Sequence, residues 1–169
     1  MRSSTRPMKL RELQVKAFSS IPSIAAANVL PGQNFCDAFT TRAPEKLLAI
    51  EAARKIMSSA PNWVHQLIAV RTRLVRLVGL KGEAPVQVHT AERLGMFPVV
   101  SSTPDCVILG FDDKHLDFRI VIETKPTSNT QTDVSLATAV KWHNIWGRLY
   151  LAFVLPFHKV IVRSMLGRL

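Results

Sequence analysis

The C-terminal stretch decides the fold, and it reads NIWGRLYLAFVLPFHKVIVRSMLGRL from Asn144 to Leu169. Between Leu149 and Val162 nearly every residue is apolar, which is typical of a helix covered on most of its sides. Pro156 lies inside this run and removes one backbone N–H, so we expect a kink there. The stretch predicts a long helix that needs other elements to cover it.

The same stretch does not predict a membrane span. Its continuous apolar run, Leu149–Phe157, is followed by His158 and Lys159. That run is well short of the roughly 20 apolar residues that a bilayer requires. We therefore expect a helix in the core of a domain.

Strands that could cover this helix precede it directly. Residues 115–125 show the strongest alternation in the chain, with Leu116, Phe118, Ile120 and Ile122 at every second position. Side chains two apart in a strand share a face, and an antiparallel sheet with one solvated face gives this pattern. Further strands are predicted at 34–41, within 86–100 around Gly95 and Pro98, at 106–109 before a turn at Gly110, and at 134–142.

Two shorter helices are predicted between the first confident strand and the others. Leu48, Ala52 and Ile56 have helical spacing, with Pro44 near the first turn. Trp63, Leu67, Val70, Leu74 and Leu77 follow each other at intervals of four and three residues, and Gly79 is a natural end. The order of elements predicts an α+β fold, a curved antiparallel sheet around a long C-terminal helix.

The 169 residues suit one domain with a substantial core. We expect that domain to occupy residues 31–169, after an N-terminal extension, 1–30, that is partly ordered as a strand or strap. The composition, 47% hydrophobic and 20% charged, is that of a globular protein and excludes disordered and fibrous classes. Residues 1–30 lack the continuous apolar segment of a secretory signal.

The net charge of +10 is unevenly distributed. Residues 141–169 hold five basic residues and no acidic one, whereas 83–133 hold eight acidic and four basic residues. Basic helices could attract an anionic membrane surface, although charge that only aids solubility explains the same pattern. Nucleic acid is not favoured as a partner, because interleaved aromatic residues are missing.

The cysteines, Cys36 and Cys106, have apolar neighbours and no CxxC spacing. This favours buried structural thiols over a disulfide, a metal site or a nucleophile, and it fits a reducing cytoplasm. No spacing of histidines and acids predicts a metal site, and no motif predicts a cofactor.

Two long segments, GFDDKHLDFRIVI (110–122) and GRLYLAFVLPFHKVIVRSML (147–166), resemble a bacterial family catalogued as domain of unknown function 2867. Residues 34–39 and 62–81 are similar to it as well, so the resemblance covers roughly residues 34–168. That family in turn resembles the START-like helix-grip superfamily, which implies a hydrophobic cavity between sheet and helix. It implies no reaction, because fold does not fix function.

Two groups of residues could carry chemistry. His115, Asp117 and Arg119 share one strand face and could form a general base with an anion-binding arginine, or they could make only cross-strand pairs. On the C-terminal helix, Tyr150 and His158 could be polar groups in a cavity wall, or polar tips of core residues. If the protein is an enzyme, the candidate catalytic residues are His115, Asp117, Tyr150 and His158.

The sequence favours a binding protein over an enzyme. We expect a hydrophobic small molecule or lipid to bind between the sheet and the C-terminal helix, in contact with Phe118, Ile120, Trp142, Tyr150, Phe153, Phe157 and His158. The alternatives are a cyclase-type or isomerase-type enzyme, and a basic module that docks on a membrane or another protein. The sequence does not indicate an oligomeric state.

Overall fold

The computed structural model describes residues 17–59 and 92–169. The described strands are β1 (Phe18–Ser20), β2 (Phe35–Ala43), β3 (Arg93–Leu94), β4 (Phe97–Ser102), β5 (Cys106–Asp112), β6 (Leu116–Ser128) and β7 (Gln131–Trp142). The described helices are α1 (Ile24–Asn28), α2 (Ala49–Ser58) and α3 (Ile145–Leu166). A sheet followed by a long C-terminal helix confirms the predicted α+β fold class.

The seven described strands form one sheet in the order β1-β2-β7-β6-β5-β4-β3. Every neighbouring pair is antiparallel. The register shifts between Val99 and Ser101, which places a bulge in β4 where Gly95 and Pro98 predict an irregular strand. Since β7 lies between β2 and β6, the last strand in the chain joins the N-terminal strands β1 and β2 to the strands β3 to β6.

The two faces of the sheet carry different helices. Helix α2 packs over β5 and β6, and α3 packs over β2 and β7 on the same side, where the main core lies. We call this side the helix face. The short helix α1 packs on the opposite side through Ala26, which joins a small apolar cluster with Val121.

The alternation predicted for β6 is confirmed. Leu116, Ile120 and Ile122 are buried on the helix face. The opposite face is not wholly solvated as the pattern predicts, because Val121 is only 1% exposed under α1.

Two local predictions are wrong. Gly110, predicted to form a turn, lies inside β5. A Cβ atom there would come within 2.1 Å of the Phe118 carbonyl oxygen on β6, so the position requires a glycine within the strand. Helix α2 begins at Ala49 rather than near Pro44. The preceding residues stay extended, since the Leu47 N–H donates to Thr132 Oγ1 on β7.

Several predictions fall outside the described residues: the N-terminal segment up to residue 16, the helix at 63–77 and the strand around Val86 and Val88. The division of the chain at residue 30 stays a prediction. Within the first segment, β1 pairs with β2 along Phe18 to Ser20.

Helix α3 is less covered than its apolar sequence predicts. Leu151, Val162, Met165 and Leu166 are buried, whereas Trp146, Leu149 and Phe153 are more than half exposed. In the described part of the chain, α3 is the one helix long and apolar enough to cross a membrane by length and composition, and 22% of its most apolar window is buried.

Candidate functional site

An aspartate interrupts the apolar helix face of the sheet. Phe35, Asp37 and Phe39 occupy alternate positions in β2 and therefore point to the same side. Phe39 belongs to the main core, and Phe35 packs against a second apolar cluster on this face, formed by Leu116, Val140 and Leu151. Asp37 thus lies between two apolar neighbours, directly across from Thr138 on β7.

His158 of α3 is the partner of this aspartate. Its Nε2 lies 3.1 Å from Asp37 Oδ1, and the two side chains are 15% and 16% exposed. The edge of the Phe35 ring also meets the imidazole, with ring centroids 6.4 Å apart and planes at 82°. The hydrogen bond and the ring contact together fix the orientation of the His158 side chain.

The second carboxylate oxygen of Asp37 has acceptor capacity left over. Oδ2 is buried, and the residues that the structure describes offer it no hydrogen-bond partner. Buried polar atoms of this kind are uncommon in folded proteins and call for an explanation. A bound group with an N–H or O–H donor would satisfy it.

Packing between α3 and the sheet is loosest near this pair. Leu151 anchors the first part of the helix in the second apolar cluster, and Val162 anchors the last part in the main core. No α3 residue between these two anchors is buried. Pro156 lies in this interval and removes the N–H that would reach the carbonyl of Ala152.

An aromatic row borders the aspartate on the sheet. Phe35, Val140, Phe118 and Phe111 are successive cross-strand partners from β2 to β5. The half-buried rings of Phe111 and Phe118 contact each other and that of Phe97, with centroids 5.6 to 6.3 Å apart. Phe35 joins this row to the Asp37–His158 pair through its contact with the imidazole.

Most of the predicted ligand-binding residues share this face. Ile120 is buried in the main core, and Phe118, Trp142, Tyr150 and His158 are half-buried against the sheet. Phe153 and Phe157 do not join them. These two rings contact each other at 5.8 Å and lie on the outward side of α3, 59% and 40% exposed.

The predicted group of His115, Asp117 and Arg119 does not converge. His115 Nδ1 lies 2.8 Å from the Asn144 side-chain nitrogen. Asp117 instead pairs with His143 Nε2 at 2.9 Å, and Arg119 pairs with Asp112 at 2.6 Å. The structure therefore distributes the three residues over three separate contacts.

Sequence reasoning missed Asp37. The available signal was an acidic residue at an inward position of the strand NFCDAF, where both neighbours on its face are phenylalanines. Within residues 17–59 and 92–169 no group of three or more His, Cys, Asp or Glu residues could hold a metal ion.

The two thiols lie on the opposite face of the sheet from this pair, on the side of α1. Burial is the main cause that raises the pKa of Cys36, and the nearby Asp37 carboxylate raises it further. Burial likewise raises the pKa of Cys106, with Glu123 and Asp105 adding to the effect. Raised values keep both thiols protonated at neutral pH, as expected for structural rather than nucleophilic cysteines.

Comparison with known proteins gives a family but no activity. Residues 29–165 match a family described as "Protein of unknown function (DUF2867)". No curated protein and no solved structure matches the chain.

Proposed function

The chain belongs to the DUF2867 family, and we propose that it binds a hydrophobic small molecule or lipid between the helix face of the sheet and α3. The observation that carries this proposal is the buried Asp37 Oδ2, for which the described residues provide no donor. It lies on a face that is otherwise mostly apolar, and the half-buried Phe35 ring contacts its partner His158. An apolar ligand with one polar end suits such a surface.

The polar end of the ligand should be a hydrogen-bond donor. Asp37 Oδ1 already faces His158 Nε2, so Oδ2 is the oxygen left to accept a hydrogen bond. A hydroxyl or amine would donate to it, whereas an ionised fatty acid would bring a second negative charge close to the carboxylate. We therefore expect long-chain or polycyclic alcohols and amines to bind better than the corresponding acids.

Matched ligands test this preference. Thermal-shift and native mass spectrometry measurements would compare a fatty alcohol with the fatty acid of equal length, and an isoprenoid alcohol with its acid. Asp37→Asn replaces Oδ2 or Oδ1 by an amide donor and should weaken alcohol binding while relieving the penalty on the acid. Asp133→Asn, on the opposite face, is the matched control.

Two outcomes would contradict the proposal. One is that neither pair of ligands shifts the melting temperature or stays bound in the mass spectrometer. The other is that Asp37→Asn leaves the affinity for alcohols and acids unchanged.

A second candidate is an enzyme of cyclase or isomerase type at the same pair. The observation that favours it is the hydrogen bond between His158 and Asp37, because a carboxylate that holds an imidazole can support general acid–base work. Tyr150 lies on the same helix and the same side. In any assay that detects turnover, His158→Gln should abolish it; unchanged turnover would exclude this role.

A further inference from the structure

The outward side of α3 carries an apolar stripe. It consists of side chains that are 40% to 59% exposed, and its members are Ile145, Trp146, Leu149, Phe153, Phe157 and Val160. From Trp146 onward they follow each other at intervals of three or four residues, so they lie along one side of the helix. The stripe is about 23 Å long at the rise of an α-helix.

The stripe is independent of the site between sheet and helix. Leu151 and Val162 point the other way, into the two apolar clusters on the sheet. Because the inward side is anchored in this way, α3 presents its outward side for lateral contact, and a span across a bilayer would require it to leave the sheet. Large exposed apolar stripes of this kind mark interaction surfaces.

Two cations lie to one side of the stripe, about a third of a turn around the helix from its middle. Arg148 and Lys159 are exposed, and their separation of about three turns places them on the same side of the helix. The α3 sequence contains no acidic residue. An apolar side that includes tryptophan and phenylalanine, with basic residues beside it, is the pattern of helices that lie in a membrane interface.

Three partners could cover the stripe: the chain's own residues 62–82, a second copy of α3, or a lipid bilayer. They differ in the charge that they would bring to it. The chain's own residues 62–82 carry Arg71, Arg73, Arg76 and Lys81 with no acid, so they bring no negative charge to Arg148 and Lys159. A second copy of α3, which has no acidic residue, would bring none either. We propose that the stripe docks on a lipid bilayer with anionic headgroups, with the apolar side chains inserted at the interface and Arg148 and Lys159 at headgroup level.

Vesicle sedimentation with the full-length chain tests this proposal. We expect the protein to bind phosphatidylcholine vesicles that contain phosphatidylserine, and to bind less as salt concentration rises. The double variants Leu149→Glu with Phe153→Glu, and Arg148→Glu with Lys159→Glu, should each weaken binding by about tenfold or more. Ile24→Glu changes an even more exposed apolar residue on α1, across the sheet, and should leave binding unchanged.

Circular dichroism would verify that each variant is folded, and the milder Leu149→Ser would replace the Leu149→Glu with Phe153→Glu variant if that one is not. Three results would overturn the proposal. The first is equal binding to vesicles of phosphatidylcholine alone, or no binding to either kind. The second is a dimer in light scattering that dissociates when Leu149 and Phe153 are substituted, which would mean that a second copy of the chain covers the stripe. The third is a disulfide between L149C and V70C, which would assign the stripe to residues 60–91.

This docking goes beyond the proposed ligand binding, and either can fail alone. Asp37→Asn alters the inward site and should not affect vesicle binding. The outward double variants should not change the preference for alcohols over acids.

Discussion

His158 Nε2 lies 3.1 Å from Asp37 Oδ1 and joins α3 to β2 across the helix face of the sheet. Both side chains are largely withdrawn from water, at 15% and 16% exposure. Buried polar pairs of this kind add little net stability, because desolvation of the partners offsets their attraction. Stability alone therefore gives little reason for a pair at this place, which suits the ligand binding proposed above.

The pair predicts a pattern of stabilities. His158→Phe should lower the free energy of unfolding by about 1–3 kcal/mol, because it leaves a buried carboxylate without its partner. The double change Asp37→Leu with His158→Phe should restore most of this loss, since it removes both polar groups. Urea denaturation of the two single variants and the double variant would measure the coupling. Strictly additive losses would show that the two side chains do not interact.

Gly147 predicts a steric effect at the start of α3. A Cβ atom there would lie 2.1 Å from the His115 carbonyl oxygen and 3.1 Å from Trp142 Cβ. Helix propensity alone would make Gly147→Ala stabilising by about 1 kcal/mol. We expect the opposite, a destabilisation of about 1–3 kcal/mol, because the helix must shift away from the sheet. Thermal unfolding decides the sign, and Ala152→Gly at an exposed α3 position provides the propensity reference.

The Arg42–Asp133 pair predicts a dependence of stability on pH. Hydrogen bonding from Arg42 is the largest cause that lowers the pKa of Asp133. A carboxylate with a lowered folded-state pKa stabilises the protein above its unfolded pKa and loses this contribution as pH falls through the folded value. Asp133→Asn should therefore reduce the melting temperature slightly at pH 7, the size expected of an exposed pair, and have no effect well below the usual pKa of an aspartate.

Melting curves from neutral to acidic pH would show whether the melting temperatures of wild type and Asp133→Asn become equal as the pH falls. Asp113→Asn, near the turn between β5 and β6, controls for the loss of one negative charge. A difference between wild type and Asp133→Asn that persisted unchanged in acid would contradict the assignment.

The cysteines predict slow alkylation. Because burial raises the pKa of both thiols, iodoacetamide should modify Cys36 and Cys106 more slowly than free cysteine at pH 7.5. The rates should keep rising above about pH 8.5, the usual thiol value. Mass spectrometry on Cys36→Ser and Cys106→Ser would assign each rate. Modification at the speed of free cysteine would mean that the thiols are accessible and ionised.

Much of the fold could be predicted because strand and helix periodicities are local. The alternation around Ile120 and the apolar run of α3 place those elements correctly. The role of Gly110 and the start of α2 could not be predicted, because both depend on contacts with other strands. Gly110 fits closely against the Phe118 carbonyl on β6, and the residues before α2 are held by Thr132 on β7.

The candidate site was only half predictable. His158 could be named from its place on the apolar helix, but its partner is 121 residues earlier, and no local pattern joins the two. The sequence equally offered His115 with Asp117, two residues apart on one strand. The fold instead pairs Asp117 with His143, because β6 and β7 bring them together.

By itself, the sequence determined that residues 145–166 form a helix with apolar side chains on nearly every side. Only the tertiary structure decided which of them are buried. The sheet packs against one side of α3, so Leu151 and Val162 enter the core, whereas Leu149 and Phe153, equally apolar, face outward. Burial depends on what packs against a residue, and a helix pattern without a polar side carries no information on that direction.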